Sequence, residues 1–99
     1  MICPPALIDS NLSNMMSKLI NEYPQITGSD IIRWGIAELK KNPSLFYLPA
    51  KPMKHKSPSV LLTSDDNQFL KERRLKYGIT VSQSIRDSIF AAYHAKMKK

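Results

Sequence analysis

The chain has 99 residues, of which 42% are apolar and 23% charged, with a formal net charge of +7. That length suits one modest core and not two independent ones, so any internal duplication is expected to share its core. No apolar run approaches the ~20 residues of a membrane span. The opening Met1 to Ile8 has neither the basic region nor the apolar stretch of a signal peptide. A lone Cys3 with His55 and His94 offers no internal disulfide and no ligand cluster. A soluble cytoplasmic protein without metal or other cofactor is expected.

The charge is unevenly placed. Residues 1–41 hold four basic and four acidic side chains, whereas residues 51–99 hold eleven Lys and Arg against Asp65, Asp66, Glu72 and Asp87. A basic half of this kind meets polyanions, nucleic acid first and an anionic membrane or acidic protein after it. The bland alternative is that the charge only maintains solubility.

In chain order, Ala6-Leu7-Ile8-Asp9 reads as a short extended piece, followed by Ser10 and Asn11, which suit a helix N-cap. Leu12, Met15, Met16, Leu19, Ile20 and Tyr23 recur at three- and four-residue spacings and mark the apolar face of a first helix, ended by Pro24. Two methionines on such a stripe read as core. A second helix is expected after a cap at Thr27 or Ser29, with Ile31, Ile32, Ile36 and Leu39 on its buried face and Asn42-Pro43 as its stop. Trp34 lies off that stripe and is expected either under the following segment, against Phe46 or Tyr47, or at a protein interface.

Four of the seven prolines fall in residues 42–58, a stretch that no helix crosses, because each proline removes a donor and clashes with the preceding turn. This reads as a linker. Leu45, Phe46, Tyr47 and Leu48 are expected to dock on the core while Lys51 to Lys56 stay exposed. Beyond it, Val60-Leu61-Leu62-Thr63 is rich in strand formers, and Ser64 with Asp65 and Asp66 opens a third helix. Phe69, Leu70 and Tyr77 mark its buried side up to Gly78. Arg73 and Arg74 stand where the first half has apolar residues, with stems able to pack and charges reaching outward. A fourth helix follows Thr80 and Ser82, carries Ile85, Ile89, Tyr93 and Met97 on one stripe, and ends in Lys96, Lys98 and Lys99.

The halves repeat one another. Ala6 to Ser10 overlays Val60 to Ser64 at an offset of 54, and Ile26 to Arg33 overlays Ile79 to Arg86 at an offset of 53, the one-residue difference falling in the turn near Pro24. Both copies share Ile-Thr, a serine two positions on, and Ile-Arg. The stretches Tyr23 to Arg33 and Tyr77 to Arg86 resemble the ribbon-helix-helix (MetJ/Arc-type) family of DNA-binding proteins, here as two tandem units. The resemblance implies unit 1 over residues 1–41, a proline-rich basic linker over 42–58 and unit 2 over 59–99. The implied fold is mainly α with a short two-stranded antiparallel β-ribbon, a pseudodimer with a shared helical core. A lone strand leaves its backbone unpaired and a unit of this size rarely folds alone, so the covalent repeat is expected to supply the partner, the alternative being that units pair between chains.

A two-stranded ribbon fits the major groove. With Val60 and Leu62 inward, Ser59, Leu61 and Thr63 face outward, and the same alternation on the first strand gives Pro5, Leu7 and Asp9. Leucine there meets a thymine methyl, and Asp9 would repel phosphates unless it caps the helix. Phosphate contacts are expected at the helix starts from Thr27, Ser29, Thr80 and Ser82, which also serve as plain caps. Lys51, Lys54, His55 and Lys56 are expected as a flexible basic arm, and Arg73 and Arg74 as a phosphate clamp or a solvated face. Arg33 and Arg86 could be structural, pairing with acids such as Asp30 or Glu72.

The expected function is therefore double-stranded DNA binding, as a transcriptional repressor or a plasmid or phage DNA-processing accessory factor, nucleoid-associated when bound and self-associating on adjacent sites. The alternative is a protein-interaction module, an antitoxin or inhibitor, using the apolar outer strand face. Catalysis is not expected, since no Ser/His/Asp or Cys/His arrangement and no glycine-rich phosphate loop stands at usable positions.

Overall fold

Prolines decide where this chain can pair as strand. In a computed structural model, which describes residues 5–97 and the strand Ile2–Cys3, the described elements run β1 (Ile2–Cys3), β2 (Leu7–Ile8), α1 (Ser10–Glu22), α2 (Gly28–Lys41), β3 (His55–Lys56), β4 (Val60–Leu61), α3 (Ser64–Tyr77) and α4 (Val81–Met97). The protein is thus mainly helical with a small antiparallel pairing. Lys98 and Lys99, expected to close the last helix, lie outside the described residues.

β1 pairs with β4, Ile2 facing Leu61 and Cys3 facing Val60; β2 pairs with β3, Leu7 facing Lys56 and Ile8 facing His55. All four pairs keep one register. Between them the Ser57 N–H donates to the Ala6 carbonyl at 2.8 Å, and the Ala6 N–H donates to Ser57 Oγ at 2.9 Å. Pro5 and Pro58, which have no N–H, stand opposite each other in this register and interrupt the ladder. The sequence placed the ribbon at residues 6–9 and 60–63 and read Lys54 to Lys56 as a free arm. Instead, His55 and Lys56 are a strand, and the ribbon reaches back into the expected linker.

Ala6, Ile8, Ser57, Val60 and Leu62 are buried beneath the ribbon, while Pro5, Leu7, Lys56, Ser59 and Leu61 are exposed. Ser57 and Val60 are three apart yet both inward, so the period of two breaks at Pro58-Ser59.

Side-chain caps start the helices. Asp9 accepts the Leu12 N–H at 2.8 Å for α1, Thr63 the Asp66 N–H at 3.1 Å for α3, and Thr80 the Gln83 N–H at 3.1 Å for α4. Thr27 and Asp30 form a reciprocal capping box for α2. Gly78 ends α3 at φ 66°, the left-handed geometry that favours glycine, donating its N–H to the Arg74 carbonyl at 3.0 Å.

One apolar cluster draws on every helix and on the ribbon, from Ala6 and Leu12 through Ile31 and Ile36 to Leu70, Ile85 and Ile89. Each fully buried isoleucine or leucine contributes about 1.5–3 kcal/mol relative to exposure. At its centre α2 crosses α4 with Gly35 against the backbone of Ser88, so close that an added Cβ would overlap the Ser88 carbonyl. Ile31, Ile32, Ile36 and Leu39 are all buried as their spacing predicts, whereas Ile20 on α1 and Tyr77 on α3 are exposed.

The docked part of residues 42–58 differs from expectation in detail. Tyr47 is buried and Leu45 half-buried, but Phe46 and Leu48 are exposed. Trp34 packs edge-to-face on Tyr23 (centroids 5.5 Å apart), with the Lys96 ammonium 4.5 Å over its ring, rather than under Phe46 or Tyr47. The reason is the polar network that claims this segment: Arg73 donates to the carbonyls of Pro43 (3.2 Å) and Leu45 (3.0 Å), and Asp87 accepts the Tyr47 N–H at 2.7 Å.

Candidate nucleic-acid interface

The exposed face of the ribbon is the natural place to look for a ligand, and its composition follows from the register. On the β2·β3 half, Leu7 stands opposite Lys56. On the β1·β4 half, Leu61 stands opposite Ile2. Leu7 is 46% and Leu61 59% exposed. Ser59, Lys54 and His55 are exposed on the same strand segment, and among the described residues none of Lys51, Lys54 and Lys56 enters an ion pair. Thr63 is exposed too, but its hydroxyl oxygen is committed to the α3 cap.

Two arginines hold the ribbon to the helices. Arg33 Nε donates to the Leu61 carbonyl at 3.3 Å, and Arg86 Nε donates to the Leu7 carbonyl at 2.8 Å. Each also uses Nη1 on the residue three before it, Asp30 Oδ1 at 3.1 Å and Gln83 Oε1 at 2.9 Å. Arg33 therefore does pair with Asp30; Arg86 pairs with an amide and no acid.

The two helix starts beside the ribbon differ. At α2, Thr27 Oγ1 donates to Asp30 Oδ2 at 3.2 Å, and the Thr27 N–H donates to the same oxygen at 2.9 Å. The Thr27 N–H, offset only partly by desolvation and helped by Arg33, holds the Asp30 carboxyl below its usual value. Ser29 spends its proton on the Ser59 carbonyl at 2.8 Å. The α2 start is already served by its own carboxylate, so Thr27 and Ser29 fit capping and ribbon attachment better than phosphate contact. Gly28 is needed there, because an added Cβ would lie 2.6 Å from Pro58 Cγ. The first turn of α4 is Val81-Ser82-Gln83-Ser84, without an acid, and Thr80 and Ser82 are both exposed. Its backbone donors carry the usual partial positive charge of a helix start.

Arg73 is a correction. It is 1% exposed and donates to Asp87 Oδ2 and Ser84 Oγ, each at 3.0 Å, as well as to the two carbonyls named above. A guanidinium so enclosed clamps residues 43–47 to α4 and has no face for a phosphate. Its neighbour Arg74 is exposed on α3. Asp9, placed outward by simple alternation, is buried instead. It caps α1 and also accepts from the Tyr47 hydroxyl (2.7 Å) and the Ala50 N–H (2.8 Å).

The residues that sequence reasoning missed are Asp9 as a junction, the Arg73–Asp87 pair and Lys56 as a strand residue. An Asp three residues before Leu12, the first apolar position of α1, signals its capping part, so the cap is Asp9 and not Ser10 or Asn11; nothing local signals the other two. Among the described residues no group of three His, Cys, Asp or Glu is placed to hold a metal ion, and no helix is long and apolar enough to cross a membrane. Set against known proteins, the chain matches no family model, no curated protein and no solved structure.

Proposed function

We propose that the protein binds double-stranded DNA through the ribbon, as two ribbon-helix-helix units paired within one chain. The observation that carries this reading is the register. Moving 54 positions forward from Ile2 and 54 back from Leu61 turns the pair Ile2–Leu61 into Lys56–Leu7, which is also a pair. The brace repeats in the same way, Arg33 on Leu61 answering Arg86 on Leu7. Gly35 and Ser88, 53 apart in the sequence, meet where α2 crosses α4. A ribbon related to itself by such an operation, with an exposed face of Leu7, Lys56, Ser59 and Leu61, matches the width of a major groove. Ser82 and the α4 backbone, whose cap is Thr80, are the phosphate contacts on this reading, with Lys51, Lys54 and Arg74 adding long-range attraction. Repression by occluding a site, or an accessory role in plasmid or phage DNA processing, is what such a grip supports.

Binding of labelled random duplex as salt rises from about 50 to about 200 mM tests it. Affinity should fall steeply with salt, and Leu61→Glu should abolish binding while the fold persists. Lys51/Lys54/Lys56→Ala should flatten the slope by about 0.9 for each lysine that neutralises a phosphate. A folded protein with no affinity at the lowest salt contradicts the reading.

The exposure of Leu7 and Leu61 favours a second reading, a protein partner on the same strand face, as in an antitoxin or inhibitor. Binding to that partner would survive high salt.

A further inference from the structure

The two halves of the ribbon are alike in backbone and unlike in charge. The position that is Lys56 in the β2·β3 half is Ile2 in the β1·β4 half, both opposite a leucine. Lys54 and His55, exposed beside Lys56, add to the same end. The helix starts differ in the same sense. Arg33 and Ser29 tie α2, whose first turn holds Asp30, to β4 and the adjoining Ser59. Arg86 ties α4, whose equivalent residue is the neutral Gln83, to Leu7 of β2. The basic half of the strand face and the acid-free helix therefore share one end of the ribbon, and the apolar half and the acid-capped helix share the other.

Resting on the DNA reading above, we infer that the protein sits on duplex DNA in one orientation, with Lys56 the specificity-determining side chain that reads guanine in the half-site under β2 and β3. Guanine offers O6 and N7 together in the major groove, the acceptor pair that suits a lysine ammonium, whereas a leucine finds only the thymine methyl. Under β1 and β4 no ammonium stands at the matching register position, and that half-site is selected through thymine methyls at Leu61. The favoured site is accordingly non-palindromic, G-containing at one end and A·T-rich at the other.

Selection of binding sites from randomised duplexes by the wild type and by Lys56→Ile, which gives both halves the same residue, tests this. The wild type should return one asymmetric consensus with guanine in a single half. Lys56→Ile, folded by circular dichroism, should lose that guanine, return a nearly twofold consensus, and bind the wild-type site roughly tenfold more weakly. A palindromic wild-type consensus, or an unchanged asymmetry in Lys56→Ile, overturns the orientation while leaving DNA binding in place. No enrichment of any duplex overturns both.

Discussion

Arg86 and Leu7 are 79 residues apart, yet the guanidinium Nε of one donates to the backbone carbonyl of the other at 2.8 Å, and Arg33 makes the matching bond to Leu61 at 3.3 Å. Each arginine spans from a ribbon carbonyl to the side chain three residues before it on its own helix. The bond fixes the ribbon on the helices and leaves its other face to solvent.

A lysine cannot make both bonds from one planar fork. Arg86→Lys should therefore loosen β2 more than it unfolds the protein, costing about 1 kcal/mol in global stability. Amide exchange at Ile8 and His55 should speed while exchange in the α2 and α4 cores holds. Equal acceleration everywhere would mean that the arginine serves the whole fold and not the ribbon.

Gly35 offers a test with an unusual sign. Glycine to alanine within a helix ordinarily stabilises by about 0.5–1 kcal/mol. Here the new methyl would enter the Ser88 backbone, which has no rotamer to give way. Gly35→Ala should instead destabilise by about 3 kcal/mol or more, read as a fall in the urea midpoint. A neutral or raised midpoint would show that α2 and α4 do not cross this closely.

The buried Arg73–Asp87 pair should respond unequally to single and double substitution. Arg73→Leu leaves the Asp87 carboxylate buried without its guanidinium and frees the carbonyls of Pro43 and Leu45, so a loss of about 3–5 kcal/mol is expected. Adding Asp87→Leu removes the stranded charge, and the double variant should be more stable than Arg73→Leu alone. Additive losses, measured by chemical denaturation, would deny the coupling.

What the sequence made legible was whatever rests on local periodicity. The stripe Ile31, Ile32, Ile36 and Leu39, the α2 cap (Thr27, one of the two hydroxyl candidates), the stop at Gly78 and the break at Pro24 are each decided within a few residues. Lys56 was misplaced because a two-residue strand between prolines carries no periodic signal; it pairs only because Leu7 is brought beside it. Arg73 was misplaced because helix α3 shows hardly any apolar face, and which of two adjacent arginines turns inward depends on Asp87 and on two carbonyls 28 and 30 residues away. At the candidate interface, the sequence named Leu7, Ser59 and Leu61, which are exposed, and read Thr27 and Ser29 as caps or phosphate contacts; Thr27 is the α2 cap and Ser29 bonds the Ser59 carbonyl.

Asp9 should set the acid limit of the fold. Burial by itself would raise its carboxyl, but hydrogen bonds from the Ala50 N–H, the Leu12 N–H and the Tyr47 hydroxyl outweigh it and hold the group below its usual 3.8. Desolvation, together with the same contact, raises the Tyr47 hydroxyl above its ordinary value, so the phenol stays a donor through the neutral range. A carboxyl depressed in the folded state contributes stability that is present above its unfolded value and is lost as pH falls through the folded one. The wild type should thus lose stability progressively as pH drops below about 4. Asp9→Asn keeps an N-cap oxygen but lacks the charge and the second acceptor, and should be less stable at neutral pH by about 2–3 kcal/mol. Its denaturation midpoint should also vary less than that of the wild type between pH 5 and pH 2, roughly the window in which a depressed carboxyl titrates. Parallel pH profiles for the two proteins would mean that another carboxylate, and not the junction of α1, Tyr47 and Ala50, governs acid unfolding.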